Sequence, residues 1–351
     1  MSTSKNPSSN ADYIALGVPA WGFLPGNKYW KAKNRFSSVT AITNFDPVTT
    51  SSKGSVIELV VGNSSNGLIG FDAGVTFGKS TVRLSDANDQ IKIFANKDSI
   101  QLARVGFQIL GERQTWSSPT PASVQMGNGI NSINVGGGAK NWETGMSIGT
   151  KASLIGGSGK DTITAIGNKL GISIFGAVDL GKGNDRIETA GLNGETGLLV
   201  SNNGVLRMGD GDDVIIGTAK AIKTRRSIYV NGTIDMGAGN DLITGNSLHV
   251  NSSTGARILM GAGKDVIAAP LESSNGAFFD FGSGIDKLTL LPGKYSVAKG
   301  LAGSQLVLSS IAPVGGYGGV IDNIPINGLE FLVSSVSGKE YAFALGEIQI
   351  V

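Results

Sequence analysis

The chain has 351 residues, 53 of them glycine, and only 16% are charged, against about 25% in an ordinary domain. There is no cysteine and a single histidine, His249, which excludes zinc fingers, thiol catalysis, iron–sulfur clusters and any disulfide framework, and leaves a Ser–His–Asp triad no other base. A net charge of +2 asks for no nucleic acid, an apolar share of 40% is too high for a disordered chain, and 10 prolines without an every-third-residue glycine period exclude collagen.

From the N-terminus, residues 1–12 are polar, and no apolar run of roughly 7–15 residues lies in the first twenty, so a cleaved secretory signal is not expected. No stretch reaches roughly 18 apolar residues, so no membrane span is expected either. All four tryptophans (Trp21, Trp30, Trp116 and Trp142) precede residue 143, which sets the first part of the chain apart. Residues 1–54 read as a partly disordered N-terminal extension, a candidate cap or assembly arm. Residues 55–150 carry strand-like runs, among them Val56–Val61 and Gln90–Phe94, and read as irregular early rungs of a β-solenoid.

Over 151–290 one phrase recurs: Gly-x-Gly-x-Asp followed by an apolar residue two positions after the aspartate. Its copies are Gly157, Gly159 and Asp161; Gly181, Gly183 and Asp185; Gly209, Gly211 and Asp213; Gly237, Gly239 and Asp241; Gly261, Gly263 and Asp265; and Gly282, Gly284 and Asp286. Successive aspartates are 24, 28, 28, 24 and 21 residues apart. Two weaker copies lie upstream: one puts Asn131 where the aspartate belongs, and the other keeps Asp89 but loses both glycines. The phrases follow alternating apolar pairs such as Val178/Leu180, Leu206/Met208, Ile234/Met236 and Ile258/Met260, and a second set (Ile172/Ile174, Leu198/Val200, Ile228/Val230, Leu248/Val250) lies between them. Period two marks one face of a strand. A unit of 21–28 residues with two or three short strands cannot bury that face alone, but it can when stacked on its neighbours. The near-constant period favours a parallel β-solenoid over a string of hairpins, although Asn231-Gly232 is a good hairpin turn.

Two glycines at i and i+2 make a tight loop whose carbonyl oxygens can face one centre, and a carboxylate two residues later adds negative charge there. Such hard-oxygen donors suit Ca²⁺, which takes about 6–8 ligands, so neighbouring loops would have to share each ion. Six loops in one column would hold up to five ions between them. The competing reading gives each aspartate only an Asx-turn and each glycine only a corner.

These phrases resemble the hemolysin-type (RTX) calcium-binding repeats of secreted bacterial proteins, over about residues 150–290 and more weakly over 80–150. The resemblance implies a right-handed parallel β-solenoid of the β-roll or β-helix kind, with Ca²⁺ between stacked loops. It implies extracellular or cell-surface localisation by type I secretion without a cleaved signal. Asp161, Asp185, Asp213, Asp241, Asp265 and Asp286 would be the side-chain ligands, with the glycine-loop backbones supplying the rest. The sequence departs from that pattern in three ways. Only Gly156-Gly157 keeps the leading glycine pair, loops come every 21–28 residues instead of every nine or so, and Lys160, Lys182 and Lys264 sit inside loops. The loop with Asp210, Asp212 and Asp213 is the most anionic and the first expected to bind.

Beyond Asp286 the glycine loops stop, and residues 291–351 read as a β-rich C-terminal cap that also resembles an uncleaved export region. The basic run Lys220, Lys223, Arg225 and Arg226 is a candidate contact for an anionic surface glycan, against the plainer reading of a solvated loop. His249, between inward Leu248 and Val250, is expected to face outward. With no catalytic constellation, the expected function is a non-catalytic, calcium-stabilised extracellular structural protein of a surface layer, sheath or matrix, forming a homo-oligomer or homopolymer. The alternatives are a polysaccharide-active enzyme on a parallel β-helix, which outward Asp179, Arg207 and Asp235 would serve only loosely, or a calcium-dependent adhesin.

Overall fold

The computed structural model describes residues 122–351 apart from the short segments 137–141, 194–195, 221–225, 252–254, 276, 301–304 and 313–319, with backbone alone at 272–275. Upstream it describes residues 83–84, 86–94 and 105–109, together with the backbones of the strands named below. The proposed cap or assembly arm at 1–54, and Lys223 and Arg225 of the basic run, therefore lie outside the residues with described side chains.

Among the described residues every regular element is a strand. The repeat unit is a coil of three strands, such as Ala177–Gly181, Arg186–Gly191 and Thr196–Val200, followed by Val205–Asp210, Val214–Ala219 and Arg226–Val230. Each strand pairs in parallel with its counterpart one coil away: Val178 opposite Leu206, Ile187 opposite Ile215, Leu198 opposite Ile228. The strands flanking Asn231-Gly232, Arg226–Val230 and Thr233–Ala238, belong to two different ladders, so that turn is a corner of the solenoid and not a hairpin. The fold is the parallel β-solenoid that the periodicity predicts.

The parallel pairing extends well outside the glycine loops. At the N-terminal end Asp12–Ile14 pairs with Ser55–Val61, Ile42–Thr43 with Ala73–Gly78, and Val48–Thr49 with Thr81–Arg83. At the other end Ile321–Asp322, Ile324–Asn327 and Phe331–Ser334 supply one more parallel coil. Antiparallel strands then close that end: Gly293–Lys299 pairs with Leu306–Ser310 and with Gly346–Ile350, and Phe331–Ser334 with Glu340–Ala342. A long strand, Val266–Asn275, serves two ladders by shifting register between Ile267 and Leu271.

The core is a set of like residues stacked along the axis. Ile91, Ile133, Ile163, Ile187, Ile215, Ile243 and Ile267 are all buried and occupy the position two after each column residue. Under the loops, Leu180, Met208, Met236, Met260 and Phe281 form a second buried row. Neither row could stay out of water in an isolated unit, which is why the coils are stable only together. His249 is half-buried between buried Leu248 and Val250, on the outward side of its strand.

Candidate metal centre

Each Gly-x-Gly-x-Asp phrase forms the corner between the first and second strands of its coil, and parallel register superimposes the corners. The glycines stack on one another so closely that a side chain has no room. A Cβ on Gly209 would collide with the Gly181 carbonyl oxygen, and one on Gly211 with that of Gly183. Gly209 and Gly211 also have φ of 112° and 143°, a region that side-chain-bearing residues avoid. Positive φ recurs in both glycines of every loop from Gly181 to Gly284. The loop of Gly157 and Gly159 lacks positive φ, and there close packing against Gly127 and Gly129 alone demands glycine.

The sequence expects every loop glycine to serve as a metal ligand through its backbone. The second glycine of each loop also serves the close packing of coil on coil. A Cβ on Gly159 would meet the Gly129 carbonyl oxygen, one on Gly239 that of Gly211, and one on Gly263 that of Gly239. The Gly183, Gly211 and Gly239 N–H groups donate to the carbonyls of Asp210, Ala238 and Ala262 of the next coil at 2.8, 2.7 and 2.8 Å. Gly159, Gly239 and Gly263 thus act as spacers between coils. They bring no side chain to a cation, and their carbonyl oxygens are all they could offer one.

The stacked corners bring all six predicted aspartates into one line, and all six are buried. Their two carboxyl oxygens have different surroundings. Oδ1 accepts the backbone N–H of the aspartate one coil back: Asp185 from Asp161 at 2.7 Å, Asp213 from Asp185 at 2.7 Å, Asp241 from Asp213 at 2.8 Å, Asp265 from Asp241 at 2.9 Å and Asp286 from Asp265 at 2.7 Å. Oδ2 of each of the six is buried without a hydrogen-bond partner. A buried carboxylate oxygen without a donor is costly, and six in a row call for a neutralising species.

The line continues at both ends. Asp286 N–H donates at 2.7 Å to Oε2 of Glu330, which no glycine loop announces. Upstream, Asn131 N–H donates to Asp161 Oδ1 at 3.2 Å, and Asn131 Oδ1 accepts the Asp89 N–H at 2.9 Å. The two degenerate copies of the phrase thus keep their place in the column.

Burial raises these carboxyl groups far above the usual carboxylate range. Asp213 is pushed up to about 8 by burial, partly offset by the Asp185 N–H and reinforced by the charges of Asp185, Asp241 and Asp212. Burial brings Asp161 to about 7 against the lowering effect of the Asn131 amide, and Asp241 to about 7 against that of the Asp213 N–H. Asp185 and Asp286 lie at about 6 for the same first reason, and Asp265 is also raised.

The other charges of the loops point away from the column. Lys160, Lys182 and Lys264 are exposed. The Lys182 ammonium reaches Asp210 of the next coil at 2.9 Å, in solvent, where such a pair adds little stability. Asp212 is exposed and its Oδ1 accepts the Asn240 N–H at 2.7 Å. Of the three acids in the most anionic loop, only Asp213 therefore belongs to the column.

Among the described residues no three His, Cys, Asp or Glu side chains converge on a point. The column offers one carboxylate per coil, so backbone carbonyls must supply most of the ligands of any ion. Asn131 identifies the atoms around the position of Oδ2. Its Nδ2 donates to Gly129 O at 2.9 Å, to Asp161 Oδ1 at 3.0 Å and, more weakly, to Gly127 O at 3.4 Å. In the coils that follow, register puts an aspartate Oδ2 where this amide stands, so oxygen meets oxygen. An oxygen-only set with a donorless carboxylate fits a hard divalent cation such as Ca²⁺. Comparisons with known protein families, with curated proteins and with solved structures return no match for this chain.

Proposed function

We propose that the chain is a non-catalytic structural protein of the hemolysin-type (RTX) repeat kind, stabilised by Ca²⁺ along the aspartate column. In this reading it works outside the cell, in a surface layer, sheath or matrix, and is exported by type I secretion. The observation that carries the calcium reading is the single line of six buried Oδ2 atoms without donors. Bound Ca²⁺ would supply positive charge between coils. The side chains that would hold it are those of Asp161, Asp185, Asp213, Asp241, Asp265 and Asp286. The backbone carbonyls would come from the first glycines Gly157, Gly181, Gly209, Gly237, Gly261 and Gly282, and from the second glycines Gly159, Gly183, Gly211, Gly239, Gly263 and Gly284. The protein's own contribution is a preset geometry: Oδ1 is tied to the neighbouring coil, so Oδ2 is held in place before an ion arrives.

A ligand that binds the folded chain and not the unfolded one raises stability by mass action. Thermal unfolding in a chelator and in millimolar calcium tests the reading directly. A melting temperature that climbs with calcium concentration supports it, and one that is unmoved over that range rules it out.

A polysaccharide-active enzyme is the second reading. Asp179, Arg207 and Asp235 are in register on the outer side of the first-strand ladder, and burial raises the Asp235 carboxyl while Arg207 lowers it. Turnover of an acidic polysaccharide that Asp235→Asn abolishes would favour that reading over the structural one.

A further inference from the structure

Six coils of the column leave an oxygen without a donor, and the coil of Asn131 does not. The difference is a single side chain. Asn131 is buried in line with the aspartates, and its Oδ1 performs the same service as theirs by accepting the N–H of the residue one coil back. Its second atom is a donor where theirs is an acceptor, and it meets two carbonyl oxygens of its own loop and one carboxylate oxygen of the next. These are oxygens that a cation at this level would contact. The amide also stands at a boundary, because the next loop upstream has Ser85 and Ala87 in place of the two glycines.

We propose that Asn131 is a built-in substitute for a metal ion: its amide fills the cation position of its own coil and closes the ion column at the N-terminal end. The coils from Asp161 onward take ions; the Asn131 coil takes none and is held together without one. This inference rests on the calcium reading above, since it assigns which positions of that column are filled.

Two exchanges should act in opposite directions. Asn131→Asp creates one more donorless carboxylate and should create one more ion position. Asp213→Asn should remove one, and its new amide should reach Gly211 O, Gly209 O and Asp241 Oδ1, the counterparts of the partners of Asn131. Native mass spectrometry of the full chain at saturating calcium counts the ions, and thermal unfolding in chelator reports stability without them. If the wild type binds n ions, the expected counts are n plus one for Asn131→Asp and n minus one for Asp213→Asn. In chelator Asp213→Asn should melt at a higher temperature than the wild type. An Asn131→Asp chain that folds in calcium yet still binds n ions overturns the inference. So does an Asp213→Asn chain that melts lower than the wild type in chelator. A wild type that binds no ion overturns the calcium reading itself; one or more ions with an unchanged count in Asn131→Asp overturns the inference alone.

Discussion

The two carboxyl oxygens of Asp213 share one carbon and meet opposite surroundings. Oδ1 accepts the Asp185 N–H at 2.7 Å, and Oδ2 is buried with no donor. In the unfolded chain the group titrates at the ordinary aspartate value of 3.8, and in the folded chain at about 8. A folded value above the unfolded one means that the folded state holds its proton more tightly. The stabilisation is complete below about pH 4 and is lost as pH rises toward about 8. Asp161, Asp185, Asp241 and Asp286 act in the same direction, but each loses its contribution earlier, as pH rises from about 4 to its own value of about 6 to 7. Without metal the protein should therefore melt at a higher temperature at about pH 5 than at about pH 8.5. A cation competes with those protons, so in calcium the order should invert. Thermal unfolding at the two pH values, with chelator and with calcium, checks both halves. A chelated protein that gains stability toward the alkaline value would contradict this account of the column.

At the scale of the strand and loop, the corner is a hydrogen-bonded ladder that runs from coil to coil. Glu330 shows the ladder at work where no glycine loop exists. It lies 44 residues after Asp286, yet its Oε2 accepts the Asp286 N–H at 2.7 Å. Glu330→Ala should leave that N–H without its acceptor and cost about 1–3 kcal/mol, whereas Glu330→Gln, which keeps a carbonyl oxygen, should cost less. Urea unfolding of the two variants measures the difference. Glu330 also marks where the sequence ceases to be legible. The strands, the inward isoleucines and the aspartate column follow from a period of 21–28 residues and from alternation within each unit, because register leaves stacked coils little choice. Glu330 keeps only part of that signal, Gly328 two residues before it and buried Leu332 two after; an insertion separates it from the last loop, and the added coil at Ile324–Asn327 and Phe331–Ser334 brings it into line. The unequal use of Oδ1 and Oδ2 was equally hidden, since a spacing of aspartates says nothing about which oxygen meets a neighbour's N–H. The packing role of Gly159, Gly239 and Gly263 was hidden for a related reason: the atoms they pack against belong to other coils, and only register says which. Asn131 was visible as a departure from the phrase, but its three contacts were not.

Over the whole molecule, stability is shared between neighbours, as in any stack of coils that cannot fold singly. The C-terminal end is closed by antiparallel strands, with Gly346–Ile350 outermost against Gly293–Lys299. Removing residues 346–351 should bare the Gly293–Lys299 strand edge and promote association, which size-exclusion chromatography would detect as a shift to larger species. If the protein assembles as proposed, electron microscopy of the intact chain should show filaments or sheets with calcium and none with chelator. Particles of the same size in both conditions would count against a matrix role.

The proposed cations would lie along one line beside six particular oxygen atoms. Long-wavelength anomalous diffraction from crystals grown in calcium measures that directly. The expected map has a row of peaks about 4.8 Å apart, each about 2.3–2.6 Å from Oδ2 of an aspartate between Asp161 and Asp286, with no peak beside the Asn131 amide. A map without peaks, in which each Oδ2 is drawn against a loop carbonyl as a protonated carboxyl would be, would contradict it.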